Sequence, residues 1–290
     1  MTRPRRGLRT VFGTARGLRT FATNALVAFG LASTSVQLVG QLLPDVTVDP
    51  AWFFGGTAVS CVVWGLVRAY PRTHVRRELR RPEVAITVSV GDLIGLDTDI
   101  AVGFSDTFDT STDDDLPINR DSLQGQLLAR GYGGDAAALD AALGTALADV
   151  GPIARETRRD RPVGKLERYP LGTVAVLRNG GRRVYAVAYS RMDNACVARS
   201  SVTGIWLSLD SLWEAVDRHG QRGPLAIPVM GPVLARVDTL PPESLLKMTL
   251  LSFVARSRQS VVCHELRVVI RPDDAERIDF LEVAAFLRGL

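Results

Sequence analysis

The sequence predicts an α/β protein in which a two-helix transmembrane hairpin precedes a mixed β-sheet with helices on both faces. Two uncharged stretches, residues 21–43 and 51–67, are joined by a short connector and flanked by arginine clusters. From residue 82 onward, short β-branched runs alternate with helical patterns, as they do in α/β domains. With 290 residues and 46% hydrophobic content, the chain is long enough for one sizeable domain with an appendage.

The predicted hairpin occupies residues 1–81, with spans at about 21–43 and 51–67. A helix needs about 20 residues to cross the hydrocarbon core, and about 17 is the lower limit. Because the cytoplasmic flanks of membrane helices are rich in arginine, both termini are predicted to be cytoplasmic, in a two-span, multi-pass protein of the inner membrane. The alternatives are a cleaved signal peptide and a pair of buried helices.

The first uncharged stretch contains several polar side chains: Asn24, Thr34, Ser35, Gln37 and Gln41. Such groups supply hydrogen bonds between helices in lipid. The stretch is therefore either a marginal span with polar ends or a helix that assembles with copies of itself, and the sequence leaves both open.

The charge is distributed unevenly along the chain. Residues 1–20 and 68–81 each contain six arginines, against the single acid Glu78. The part from residue 82 to 290 then has 23 basic and 28 acidic residues, although the whole chain has a net charge of +4. This acidic field would repel a polyanion, so nucleic-acid binding is excluded as the function of that part.

Residues 82–290 are predicted to form one globular domain. Asn179-Gly180 between two β-branched runs is a strong hairpin signal. Ser211 with Glu214 has the spacing of a helix capping box. The predicted strands cover 84–90, 99–104, 173–177, 184–189, 204–209, 225–229 and 260–270. The predicted helices cover 136–148, a segment from 211 onward, 242–255 and 274–287.

Three strand ends suggest a binding site, because α/β sheets hold ligands outside the carboxyl ends of their strands. Asp92 follows the first strand and could accept a hydrogen bond from an amino group such as that of adenine, although a turn-forming aspartate is the alternative. After the second strand, Ser122 and Gly125 stand where a helix would begin and would offer free N–H groups to an anion. The third is the glycine loop in residues 227–236. Together they outline a site for a phosphate and a base.

Metal and nucleophilic chemistry find little support in the sequence. The acids between Asp106 and Asp115 match no cation-loop pattern and indicate a solvated loop. The three cysteines have no metal-type spacing. No catalytic triad order emerges, so we expect neither a metal nor a cofactor, and no catalytic residue.

Four segments, ITVSVGDL, AVGFSDTFDT, SLQGQLL and AIPVMGPVLA, resemble the macro domain of membrane-anchored Thoeris effectors in bacterial antiphage defence. The resemblance implies a macro-like domain over residues 82–290 that binds an ADP-ribose derivative. It also implies a TIR-domain partner enzyme that makes this signal, proposed to be histidine–ADP-ribose. Signal binding would drive homo-oligomer assembly in the lipid bilayer, membrane disruption and cell death, with no enzymatic activity in this chain.

The resemblance also assigns roles to residues. Asp92, beside Leu93, would hold the adenine amino group. The distal ribose or its attached group would lie against Ser105, Thr107, Phe108, Asp109 and Thr110. The diphosphate would lie against Ser122, Leu123, Gln124, Gly125 and Gln126, and against Met230, Gly231, Val233, Leu234, Ala235 and Arg236.

The chain departs from the family pattern at three of these positions. Ser105 stands where macro domains often have asparagine, and Val233 and Arg236 stand where they commonly have glycines. Side chains there restrict the approach of the backbone to a phosphate, and Arg236 could instead supply a charged contact. Two other functions stay open, a membrane-tethered ADP-ribosyl hydrolase or ADP-ribose reader, and a scaffold that binds only protein.

Overall fold

The computed structural model describes residues 15–42, 50–69, 74–231 and 240–290. It divides into two compact units, one with the two N-terminal helices and one with the β-sheet. In the first unit, α1 (Ala15–Leu42) and α2 (Pro50–Ala69) pack against each other. Gly65 of α2 permits this, because a Cβ there would lie 2.9 Å from two ring carbons of Phe21.

The predicted membrane hairpin is wrong. Within the described residues, neither helix combines the length with the continuous apolar sequence needed to cross a bilayer. The polar side chains of α1 account for part of this: Thr34 Oγ1 donates to the Gly30 carbonyl at 2.9 Å, and Asn24 Nδ2 to the Thr20 carbonyl at 2.8 Å. Both side chains find hydrogen-bond acceptors within α1, but each polar residue lowers the mean hydropathy of that helix. The predicted two-span inner-membrane location is overturned with the hairpin.

The second unit is built on one large mixed sheet. Its strands lie in the order β1-β2-β10-β9-β3-β7-β6, with β8 paired to β7, and β4 and β5 form a separate small ladder. The strands are β1 (His74–Arg80), β2 (Glu83–Val90), β3 (Asp99–Ser105), β4 (Ala154–Arg155), β5 (Glu167–Arg168), β6 (Val174–Asn179), β7 (Arg182–Met192), β8 (Ala198–Arg199), β9 (Leu225–Pro228) and β10 (Glu265–Ile270).

Five neighbouring strands, β2, β10, β9, β3 and β7, run parallel, so their carboxyl ends meet at one edge of the sheet. The outer strands are antiparallel to their neighbours. The β6–β7 hairpin turns at Asn179-Gly180 as predicted, and Gly180 has the left-handed φ of 63° that such a turn requires. Strand β1 was not predicted, since its sequence HVRRELR reads as a basic flank.

The helices are α3 (Leu123–Gly131), α4 (Ala136–Ala146), α5 (Val202–His219), α6 (Pro242–Ser257) and α7 (Phe280–Gly289), with 3-10 turns at Asp113–Asp115 and Pro272–Arg277. Side chains along β3 point alternately to the two faces of the sheet. On one face, Ile100, Val102 and Phe104 pack in a cluster with leucines of α3 and α4. In a second core, Trp213 of α5 and Phe253 of α6 meet edge-on with ring centroids 5.4 Å apart.

Two predicted boundaries are corrected by the structure. Residues 204–209 belong to α5 rather than to a strand, and the helix is capped by Ser201, whose Oγ accepts the Gly204 N–H at 3.0 Å. Ser211 therefore lies inside a helix. The apolar run was ambiguous because Ile205, Leu209 and Trp213 recur at the four-residue spacing of a buried helix stripe. The last strand begins at Glu265 rather than at residue 260.

Candidate functional site

A cavity of about 240 Å³ opens at the carboxyl ends of β3, β9 and β10. Its floor includes Ser105 at the end of β3 and Ile270 at the end of β10, and one wall is the start of α3. Most of the lining is apolar, with contributions from Phe104, Ile118 and Met192. An apolar cavity with a few placed polar groups at this edge of an α/β sheet is the usual form of a small-molecule site.

The start of α3 lies where it was predicted, but the two N–H groups predicted to be free are both bonded, since that of Ser122 donates to the Asn119 carbonyl at 3.1 Å and that of Gly125 is used by the cap. Ser122 is the N-cap, and its Oγ accepts the Gly125 N–H at 3.0 Å. Helix geometry leaves the first N–H groups, those of Leu123 and Gln124, without acceptors inside the helix. Ser122, Leu123 and Gln124 all line the cavity, so this end of the helix presents a favourable potential to an anion.

Gly125 serves the packing of this helix start. A Cβ there would lie 2.5 Å from the Arg120 carbonyl oxygen and 2.6 Å from that of Asn119. No side chain fits between the helix and the preceding turn, and Asn119 itself lines the cavity.

A second helix begins at the same cavity. Pro242, the first residue of α6, lines it, and the N-cap Pro241 makes no side-chain capping hydrogen bond. Gly231 in the preceding loop also lines the cavity and has a φ of 98°, a conformation that favours glycine. The N-termini of α3 and α6 therefore converge on one space. At this point α6 contributes the positive end of its dipole but few free donors, because Pro242 has no N–H and the Ser244 N–H donates to the Pro241 carbonyl at 2.9 Å.

Further polar side chains line the cavity, among them Arg271, Tyr189 and the carboxylates of Asp115 and Asp274, which oppose an anion. Arg271 follows β10 and is the cationic side chain among the described lining residues. Tyr189 of β7 lies over Gly103 of β3, where a Cβ would be 2.3 Å from its ring. Burial raises the pKa of Tyr189 to about 12.

Asp92 lies at a separate depression, together with residues of β1, β2 and β10. Its Oδ2 accepts from Arg130 Nη1 at 2.7 Å and its Oδ1 accepts the Ile94 N–H at 3.1 Å. Burial acts to raise the pKa of Asp92, but Arg130 and the backbone N–H groups of Gly95 and Ile94 outweigh it and lower the pKa. The side chain is 51% exposed and can still accept from a ligand. Leu93, in contrast, is buried in the core.

The segment after β3 is a buried polar network. Asp109 and Arg161 have side chains that are both 0% exposed and form an ion pair with Nη2 and Oδ2 2.7 Å apart. Thr107 Oγ1 donates to Asp109 Oδ2, and the Lys165 N–H donates to Asp109 Oδ1 at 2.6 Å. Between Thr107 and Asp109, Phe108 is held at a φ of 47°, which is strained for an aromatic residue.

A second arginine ties the same segment to the sheet. Arg168 Nη1 donates to Asp106 Oδ2 at 2.9 Å and to the Met192 carbonyl at 2.8 Å, while its Nε donates to Glu156 at 2.6 Å. Burial acts to lower the pKa of Arg168, but the carboxylates of Glu156 and Asp106 outweigh it and raise that pKa.

A comparison of the sequence with protein families identifies the family of this chain. The sequence profile described as "Thoeris protein ThsA, Macro domain" matches residues 86–271. The chain belongs to the ThsA macro-domain family. In a comparison with curated proteins, no sequence matches this chain.

The ThsA macro domain described here is also similar to solved structures of the Oceanobacillus iheyensis macrodomain. The structure with ADP is 11% identical, with a TM-score of 0.49 over 75% of this chain and 98% of that one. A variant with ADPR is 11% identical, with a TM-score of 0.48 over 75% and 100% of the two chains. The structure with MES bound is 10% identical, with a TM-score of 0.47 over 74% and 97%. The predicted resemblance to a Thoeris macro domain is confirmed.

The ThsA macro domain brings only some of the predicted site residues to the cavity. Those that line it are Ser105, Ser122, Leu123, Gln124, Met230 and Gly231. Thr107, Phe108, Asp109 and Thr110 are buried beside it, and Gln126 is turned to the preceding loop, where its Nε2 donates to the Asp121 carbonyl at 3.0 Å. Val233, Leu234, Ala235 and Arg236 lie outside the described residues.

Sequence reasoning missed Arg161, Tyr189, Pro242 and Arg271. Arg161 lies in an irregular segment far along the chain, and no local pattern marks it. Pro242 was recognised as a helix start but not as part of the site, although its position after the glycine loop of β9 was the available signal. Within the described ranges, no group of three or more histidine, cysteine or acidic side chains is placed to hold a metal ion.

Proposed function

We propose that this protein is a receptor for an ADP-ribose-derived nucleotide in Thoeris antiphage defence. One observation carries the proposal: the N-termini of α3 and α6 converge on the apolar cavity at the carboxyl edge of the sheet. Free N–H groups at the start of α3, together with the positive dipole end of α6, suit a diphosphate even in a domain with net negative charge, because they act at contact distance. Membership in a macro-domain family favours ADP-ribose over other diphosphates.

We further propose where the ligand comes from and what its binding causes. The signal would be made by a TIR-domain enzyme, and histidine–ADP-ribose is our candidate. Its binding would favour a self-associated form of the receptor and lead to abortive infection. For the signal to act, it must bind the associated form more tightly than the free form, since equal affinity for both shifts nothing.

Isothermal titration of the full chain with ADP-ribose tests the site, and Leu123 offers a matched pair of variants. Leu123→Pro removes one free N–H at a first helical position, where proline fits well. The preceding Ser122 has φ −66° and ψ 159°, which a following proline tolerates. Leu123→Ala keeps the N–H and loses the same side-chain packing.

A charge-assisted hydrogen bond contributes about 1.5–3 kcal/mol. Leu123→Pro should therefore bind ADP-ribose about 10- to 100-fold more weakly than Leu123→Ala, with little difference between the two for adenosine. Equal affinities of the two variants would place the diphosphate elsewhere, and no binding by the wild type would end the proposal. Incubation with an ADP-ribosylated peptide separates a receptor from the rival hydrolase, because release of ADP-ribose would favour the hydrolase.

A further inference from the structure

The ion pair between Asp109 and Arg161 lies beneath the cavity without lining it. Both side chains are fully buried, and Arg161 comes from a segment with little regular structure. Burying a charge pair is expensive unless every polar group finds a partner, and replacing such a pair by apolar residues is often neutral or stabilising. Its presence therefore points to a requirement for one specific geometry.

Arg161 makes short hydrogen bonds to three different partners, and its Nη2 also lies 3.5 Å from Thr107 Oγ1. Its Nε donates to the Lys165 carbonyl at 2.8 Å, its Nη1 to the Asp193 carbonyl at 2.9 Å, and its Nη2 to Asp109 Oδ2 at 2.7 Å. Only the planar fork of arginine can serve these three acceptors together.

The contacts with Asp109 and Asp193 lead to three walls of the cavity, two through Asp109 and one through Asp193. The first wall is Ser105, whose Oγ lies 3.0 Å from Thr107 Oγ1, the hydroxyl that donates to the Asp109 carboxylate. The second is the start of α3, where Gln124 Nε2 donates to the backbone carbonyl of Asp109. Both Ser105 and Gln124 line the cavity.

The third wall is the turn between β7 and β8. The carbonyl of Asp193, which accepts from Arg161, also accepts the N–H of Cys196 at 3.1 Å and so closes that turn. Cys196 lines the cavity. Three walls that come from distant parts of the chain are thus attached to one buried ion pair.

The surrounding backbone is shaped around this pair. Gly164 has a φ of 88°, and a Cβ there would lie 2.5 Å from Asp109 Oδ1 and 2.8 Å from Arg161 Nη2. The strained Phe108 sits between Thr107 and Asp109, so two anchored neighbours hold it in place. Such strain persists only where the surroundings over-determine it.

We propose that Arg161 and Asp109 are positioning residues that fix three walls of the ligand cavity from beneath, by joining the β3 loop, the start of α3 and the β7–β8 turn. The pair would set the affinity of the site without touching the ligand. The part of this inference that concerns affinity rests on the proposed function, and the part that concerns the walls does not.

Amide hydrogen exchange on the full chain tests the walls without any ligand. Asp109→Asn should increase exchange together in residues 105–110, 122–126 and 193–197, but not in α5. The matched control is Asp99→Asn, the same chemical change at the opposite end of β3, where the carboxylate accepts the Arg183 N–H at 2.8 Å. Asp99→Asn should leave the three wall segments unchanged.

Arg161→Lys is the second variant, because it keeps the charge and loses the fork. If Asp109→Asn does not fold, Arg161→Lys should still show faster exchange in the three walls. Faster exchange confined to residues 157–165, in either variant, or an equal change in Asp99→Asn, would overturn the proposal.

Ligand titration then separates positioning from simple stabilisation. Below its melting temperature, folded Arg161→Lys should bind ADP-ribose about tenfold more weakly, whereas Asp99→Asn should match the wild type. Unchanged affinity in folded Arg161→Lys would contradict the positioning role. A wild type that does not bind ADP-ribose would instead defeat the proposed function, and the exchange pattern would still decide whether the pair positions the walls.

Discussion

Replacing Gly125 by alanine tests whether close packing, rather than backbone freedom, requires glycine at the start of α3. The residue is helical and does not have a left-handed φ. Its Cβ would meet two backbone carbonyl oxygens of the preceding turn, at 2.5 Å for Arg120 and 2.6 Å for Asn119. Backbone atoms cannot rotate away as a flexible side chain can, so the helix start and the turn have to separate.

The magnitude follows from two opposed effects. To reach the 3.4 Å at which ordinary contact begins, the Arg120 carbonyl has to retreat 0.9 Å from the new Cβ. Overpacking of this kind typically costs about 1–3 kcal/mol. Alanine is favoured over glycine in a helix by about 1 kcal/mol. We therefore expect Gly125→Ala to lower the free energy of unfolding by about 1 kcal/mol.

Gly144→Ala is the matched control in α4, because a Cβ there has no atom within 4 Å. This change should raise the free energy of unfolding by about 0.5–1 kcal/mol. Urea denaturation followed by circular dichroism would measure both. If Gly125→Ala stabilises the protein as much as Gly144→Ala does, the close packing at the helix start is not what selects glycine there, and the reasoning is refuted.

Two other changes have defined outcomes. Burial acts to raise the pKa of Glu265, but its hydrogen bonds, foremost that from Arg267, outweigh this and lower the pKa below 4.5. The wild type should therefore be more stable than Glu265→Gln above pH 4.5 and should lose this advantage as the solution is acidified. Denaturation curves measured from pH 7 to pH 3 would show the difference. Gly103→Ala would place a Cβ 2.3 Å from the ring of Tyr189. We expect it to lower the melting temperature and to weaken ADP-ribose binding in titration calorimetry, whereas unchanged affinity would show that the ring does not shape the site.

Local patterns were sufficient to predict most of the sheet and the cap of α3. The runs at 84–90 and 99–104 were predicted as strands because β-branched residues dominate them, and the structure has them as Glu83–Val90 and Asp99–Ser105. Ser122 was predicted at a helix start, and its side chain does cap the first turn of α3. Interactions within a few residues decide such features.

Features that depend on distant partners were missed. Arg161 pairs with Asp109, 52 residues earlier in the chain, and nothing in its own neighbourhood marks it as buried. The membrane hairpin failed for a local reason: uncharged length and flanking arginines were taken as decisive, although the polar residues of the first stretch count against a span. The assignment of Asp92 to adenine stays a prediction, because its carboxylate faces Arg130 outside the cavity.

The position of β1 restricts how copies of this protein can meet. Arg77 and Arg80 are exposed on this strand, which forms one border of the sheet among the described residues. Two copies that paired edge to edge through β1 would bring their guanidinium groups together. Charged edge strands are a common protection against such pairing. Growth of a continuous sheet from copy to copy through this strand is therefore disfavoured.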